Sequence, residues 1–97
     1  LIKRLCETPN LIESGFTVIG TNFGLGKYVF DILGIDKNGI LTIVEVKVDK
    51  HKGRLQVYKY ADTLRKFIKL FTSKKIPIKL ILIRETESGL KKDVWMI

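Results

Sequence analysis

The chain has 97 residues, with 18 Lys or Arg against 10 Asp or Glu, for a formal net charge of +8. That length fits one domain with a thin core; an apolar fraction of 45% excludes a disordered chain, and 8 Gly with 2 Pro exclude collagen-like and linker compositions. The single cysteine, Cys6, excludes a disulfide framework and a Cys-rich zinc site, and its use points to a reducing, cytoplasmic setting.

Leu1 to about Glu7 reads as a helix ending at Pro9 and Asn10. Cys6, among Leu1, Ile2 and Leu5, reads as a small buried hydrophobe. Leu11 to Gly15 is a connection, Phe16 to Ile19 a strand, and Gly20 to Lys27 a loop with glycines at 20, 24 and 26. Tyr28 to Ile35 and Ile40 to Val48 are the clearest strands, apolar on both faces as central strands are. Asp36-Lys37-Asn38-Gly39 between them is a tight hairpin signal, because Asn and Gly tolerate positive φ. Lys52 to about Phe71 is a helix with Val57, Tyr60, Ala61, Leu64, Ile68 and Phe71 as its apolar stripe. Pro77 to Ile83 is a buried strand, Glu85 to Leu90 a turn, and Lys91 to Ile97 a final edge strand. No apolar run approaches the roughly 18 residues of a membrane span, and no signal-peptide pattern is visible at the start.

One strand breaks its own pattern. In Leu41-Thr42-Ile43-Val44-Glu45-Val46-Lys47-Val48, a carboxylate and an ammonium interrupt a core strand and point to one face. Burying either costs several kcal/mol unless it is paired or bound to a metal. If Lys37, Asn38 and Gly39 form the hairpin loop, Asp36 pairs with Ile40 and Asp31 falls opposite Glu45. Cross-strand partners have Cβ atoms about 5 Å apart. Two readings stay open here: a Mg²⁺ site with Lys47 beside the reacting phosphate, or a salt bridge between Lys47 and one of the acids.

These residues carry a resemblance. Asp31 followed by Glu45-Val46-Lys47 resembles the D…ExK signature of the PD-(D/E)xK nuclease superfamily. The runs FDILGIDKNGILTIVEVK (30–47), QVYKYADTLRKF (56–67) and ETPNLIESGFTVIG (7–20) are similar to the catalytic domain of NucS-like archaeal endonucleases. The resemblance implies a metal-dependent phosphodiesterase acting on DNA in repair, recombination or defence. It implies Asp31, Glu45 and the Val46 carbonyl as ligands of Mg²⁺ (with Mn²⁺ as substitute), Lys47 as the catalytic lysine, Gln56 as a catalytic residue reaching the site from the start of the helix, and Tyr60, four residues on, as a nucleic-acid contact. The family's first-helix Glu aligns upstream of Leu1, and Lys27-Tyr28-Val29-Phe30 stands where the family carries Gly-Arg.

Basic residues crowd the motif. Lys50, Lys52 and Arg54 follow it directly and Lys27 lies in the glycine-bearing loop, so all four are candidate phosphate contacts. His51 is a candidate base or simply a solvated turn residue. Lys66, Lys69, Lys74 and Lys75 are a second contact surface or a soluble face. The expectation is an α/β domain: a mixed central sheet flanked by helices, the restriction-endonuclease-like core, spanning residues 1–97. A non-catalytic nucleic-acid-binding module and a small basic oligomer-forming domain are the alternatives. Few phosphates fit so small a domain, which favours a homodimer or a fused partner domain.

Overall fold

The computed structural model describes residues 1–25, 28–47 and 53–97. Chain order gives α1 (Ile2–Glu7), a 3₁₀ turn (Pro9–Leu11), β1 (Thr17–Leu25), β2 (Tyr28–Ile35), β3 (Leu41–Val46), α2 (Gly53–Ile68), β4 (Ile78–Thr86) and β5 (Gly89–Met96). The strands form one mixed sheet in the order β1-β2-β3-β4-β5. All neighbours are antiparallel except β3 and β4, which run parallel with α2 as their crossover.

Each face of the sheet buries its own cluster. Ala61 and Leu64 of α2 pack on Phe30, Leu33, Ile43, Leu80 and Leu82, with Trp95 at the margin. Leu5 of α1, Ile12 and Phe16 pack on Ile32, Val44, Ile81 and Ile83 of the opposite face. Burial of each large aliphatic side chain is worth about 1.5–3 kcal/mol, so these two layers hold the short helices in place. Cys6 joins the second cluster as a half-buried filler, and burial, with help from Glu7, pushes its thiol pKa up. Gly34 is required by that packing: a Cβ there would lie 2.4 Å from the Phe16 ring and 2.5 Å from the Thr17 carbonyl.

The hairpin between β2 and β3 forms as its sequence dictates. Gly39 sits at φ 79° and donates its N–H to Asp36 O, while Asp36 N–H bonds Ile40 O. The ladder pairs Ile35 with Leu41 and continues to Ile32 with Val44, the register the turn sets.

Several expectations need correction. The glycine-bearing segment from Gly20 is strand, not loop: β1 runs on to Leu25 against β2, after a register shift between Val18 and Gly20. Cross-strand hydrogen bonds to an existing strand outweigh the glycines' weak strand preference. The turn expected at Glu85–Leu90 shrinks to Glu87 and Ser88, with Gly89 at φ 118°, because β4 and β5 pair as far as Thr86 and Gly89. The helix stops at Ile68, so Phe71 leaves the apolar stripe; it is exposed and packs edge-on against Phe67. Of the strand expected from Ile40 to Val48, Leu41–Val46 is regular strand, and Val48 lies outside the described residues.

Candidate active site

The hairpin register places Asp31 and Glu45 at facing positions one step beyond the last regular pair. There the backbone ladder is replaced by two side-chain bonds. Asp31 N–H donates to Glu45 Oε1 at 3.1 Å, and Val46 N–H donates to Asp31 Oδ2 at 2.9 Å. Each carboxylate therefore holds the other's strand. The strands have begun to separate here, and the regular alternation fails across Asp31: Phe30 belongs to the α2-side core although Ile32 belongs to the other.

Glu45 is only 1% exposed, beside Leu82 of β4. Burial pushes its pKa up to about 7, and the Asp31 charge adds to the rise; the Asp31 N–H and Lys47 oppose it without cancelling it. Lys47 Nζ lies 3.5 Å from Glu45 Oε2 and keeps partial access to solvent. Lys47 N–H bonds Ile83 O at 2.9 Å, which extends the β3–β4 pairing to the lysine. The cluster thus stands at the carboxyl ends of the two parallel strands, where open α/β sheets place their ligand sites.

Both open readings of the acid–lysine pattern have a physical counterpart. The salt bridge exists, between Lys47 and Glu45. Among the described residues it is incomplete, because one partly exposed ammonium lies beside two adjacent carboxylates and the Glu45 pKa stays raised. Among the described residues no three His, Cys, Asp or Glu side chains cluster. The donor set at this point is two carboxylates and main-chain carbonyls. Such hard oxygen donors fit a divalent cation that keeps water and phosphate oxygens for its remaining positions.

The remaining expected site residues are not brought to this cluster by anything described. Lys27, Lys50, His51 and Lys52 lie outside the described residues. Arg54, Gln56 and Tyr60 are carried by the first half of α2, and their side chains lie outside the described parts. Trp95 packs against the α2-side core, as its apolar strand pattern implied.

A second charged cluster was missed. Lys79 Nζ lies 2.6 Å from Asp36 Oδ2 and 2.9 Å from Glu13 Oε1. Asp36 also accepts the N–H groups of Asn38 and Ile40 through Oδ1, both at 2.9 Å. The signal was present in the sequence: Lys79 interrupts an apolar strand as Glu45 does.

The chain is similar to known proteins in sequence and in fold. The chain is 32% identical to Endonuclease NucS of Pyrococcus horikoshii over 68 residues, which are 67% of this chain and 26% of that protein. Among solved structures, a repair endonuclease from Pyrococcus abyssi superposes with a TM-score of 0.69 at 26% identity, over 88% of this chain and 37% of that one. The EndoMS-dsDNA2 complex superposes with a TM-score of 0.67 at 24% identity, over 82% of this chain and 32% of that one, a likeness of fold. The chain spans about a quarter of the curated relative's length and about a third of the solved chains. The family model described as Endonuclease NucS C-terminal domain matches residues 1–92, and the chain belongs to that family.

Proposed function

We propose that this chain is the catalytic PD-(D/E)xK unit of a NucS-type, metal-dependent DNA endonuclease built on a restriction-endonuclease-like core. The observation that carries the reading is the pair of adjacent carboxylates, Asp31 and Glu45, each accepting an N–H from the other's strand, with Lys47 beside Glu45. A buried acid beside a half-buried one is expensive to keep unless a cation is bound there in the working state. Membership in the NucS family supports an endonuclease, and the relatives' own names, a repair endonuclease and a complex with double-stranded DNA, support DNA as the substrate. The net charge of +8 suits a polyanion.

Asp31, Glu45 and the Val46 carbonyl are the residues that would hold Mg²⁺, with Mn²⁺ as substitute. The bound ion would supply charge stabilisation at the scissile phosphate and activation of water. The chain's own residues do the rest. Asp31 and Glu45 are oriented by the backbone N–H groups they accept, so the donors are fixed before any ligand arrives. Lys47 sits at the mouth of the site, where its ammonium can orient the attacking water or meet the charge developing on phosphate. Gln56 and Tyr60, four residues apart on α2, would serve catalysis and DNA binding respectively, and Lys27, Lys50, Lys52 and Arg54 would neutralise flanking phosphates. A fused domain or a second copy would supply the rest of the DNA contact surface.

The test is a nicking assay on single-stranded, flapped and duplex DNA with the full-length protein, with Mg²⁺ or Mn²⁺ and with chelator. Cleavage that requires the ion and vanishes in Asp31→Asn is the expected result. A full-length protein that binds these DNAs but cuts none would instead be a non-catalytic binding module.

A further inference from the structure

The row of charges at the working end of the sheet does not stop at Lys47. In β4, Leu82 faces the α2-side core and Ile83 faces the other. Arg84 therefore points to the α2 side and Glu85 away from it. Contacts confirm the alternation: Glu85 lies 3.7 Å from Arg4 of α1, on the opposite face. The antiparallel register pairs Arg84 with Lys91 and Ile83 with Lys92. Lys92 reaches the α1 side, where its ammonium bonds Ile12 O at 2.8 Å, so Lys91 points to the α2 side with Arg84. In the parallel register Val46 pairs with Ile83, which sets Lys47 beside Arg84.

Three cations thus stand abreast on one face: Lys47 on β3, Arg84 on β4 and Lys91 on β5. Neighbouring strands are about 4.8 Å apart, so the row leads outward from the two carboxylates in short steps. Among the described residues no carboxylate forms an ion pair with Arg84 or Lys91. Asp93 shares the face one step further in, opposite Leu82. Arg84 is half-buried and Lys91 is exposed at the rim. Arg84 and Lys91, which form no ion pair among the described residues, extend the row that starts with Lys47 at the proposed cutting centre, and such a row matches a polyanionic strand lying across this end of the sheet.

We propose that Arg84 and Lys91 are phosphate-binding residues that grip the DNA backbone on one side of the scissile phosphate and position it over Asp31 and Glu45. This rests on the proposed nuclease reading. It adds a direction to it: the strand leaves the centre across β4 and β5, rather than only along α2.

The experiment measures DNA affinity against salt with the full-length protein carrying Asp31→Asn, in chelator, on a labelled duplex. Each phosphate contact contributes about 0.9 to the slope of log K against log salt. Arg84→Gln with Lys91→Gln should flatten the slope by about 2 and weaken binding, while Lys3→Gln, on α1 at the far face, should leave the slope as it was. Both Gln variants keep the first two methylenes of the stem and a polar end, and Lys91→Gln alone, at an exposed rim position, should remove about half of the effect without risk to folding. A double-variant slope equal to the parent's overturns the grip, and if the wild type still cuts, the nuclease reading stands without it. A wild type that cuts nothing, together with a flattened slope, would instead leave the grip in place and remove the nuclease.

Discussion

Two clusters of the same composition, two carboxylates and one lysine, lie at opposite ends and on opposite faces of the β2–β3–β4 sheet. In the Asp36–Lys79–Glu13 cluster the lysine stands between the acids, within 2.6 and 2.9 Å of them. The hydrogen bond from Lys79 holds the Asp36 carboxyl below its ordinary range, outweighing the burial that would raise it. Burial by itself would lower the Lys79 pKa, and the bonds to Asp36 and Glu13 raise it instead. Every charge is answered. In the Asp31–Glu45–Lys47 cluster the lysine stands to one side, 3.5 Å from a single acid, and the Glu45 pKa rises to about 7 under burial and the neighbouring Asp31 charge. The inventory is identical, but among the described residues one lysine sits between both acids and the other sits beside only one, so placement and not composition separates the two clusters.

The largest test of that contrast is catalytic. Asp31→Asn and Lys47→Ala should each lower metal-dependent nicking by the full-length protein at least ~100-fold, as loss of a group that answers transition-state charge does. Asp36→Asn should leave the rate per folded molecule unchanged. Equal losses from Asp31→Asn and Asp36→Asn would erase the distinction between the clusters.

A second test uses pH, in chelator so that no ion intervenes. Glu45 binds its proton more tightly in the folded state, since its pKa is raised from 4.5 to about 7. Its protonation therefore stabilises the fold below about pH 4.5, and that contribution is lost as pH rises through about 7. A shift of this size is worth about 3 kcal/mol. Glu45→Gln, which resembles the protonated acid, should match wild type near pH 4 and exceed it by about 3 kcal/mol at pH 8 in urea unfolding. Asp36 has the opposite sign: its lowered pKa contributes stability at neutral pH that is lost as pH falls below its ordinary 3.8. A Glu45→Gln advantage independent of pH would mean that the carboxylate is not held near-neutral.

The sequence made one of these clusters legible and hid the other for a physical reason. The hairpin is local, and the turn chemistry of Asp36 to Gly39 fixes a register that carries Asp31 to Glu45 without any knowledge of the rest of the fold. Lys79 meets Asp36 and Glu13 across 43 and 66 residues of chain, through a parallel strand pair and a 3₁₀ turn that no local pattern specifies. The same limit explains β1: its glycines read as a loop until a partner strand is known. Arg84 fell between the expected strand and the expected turn, because the length of the β4–β5 ladder decides whether it is strand.

One substitution made in both clusters gives a smaller but sharper result. Asp36→Asn keeps the Oδ1 bonds to the turn and removes only the charge beside Lys79. It should cost about 2 kcal/mol, part of the usual cost of breaking a buried ion pair, because Glu13 remains. Asp31→Asn removes a charge that repels Glu45, and it should cost nothing or stabilise the ion-free protein at pH 8. Urea midpoints moving the same way in both variants would contradict the reading.

The smallest test concerns the hairpin that joins the clusters, since Asp31 and Asp36 both belong to β2 or its turn. Gly39 is the residue with φ 79°, and a Cβ there would meet no atom within 4 Å. Gly39→Ala therefore introduces backbone strain and no clash, an expected loss of about 1 kcal/mol. Cross-strand pairs from Ile35–Leu41 to Ile32–Val44 bury their side chains in two separate cores, and slipping the register by one residue would turn every one of them to the wrong face. The register should therefore survive the strain. The midpoint of unfolding should fall while nicking per folded molecule and the Asp36–Lys79 pairing persist. If nicking instead fell by more than the folded fraction, the turn itself would be setting the distance between Asp31 and Glu45, and the site would depend on the hairpin's geometry more tightly than on the cores that clamp it.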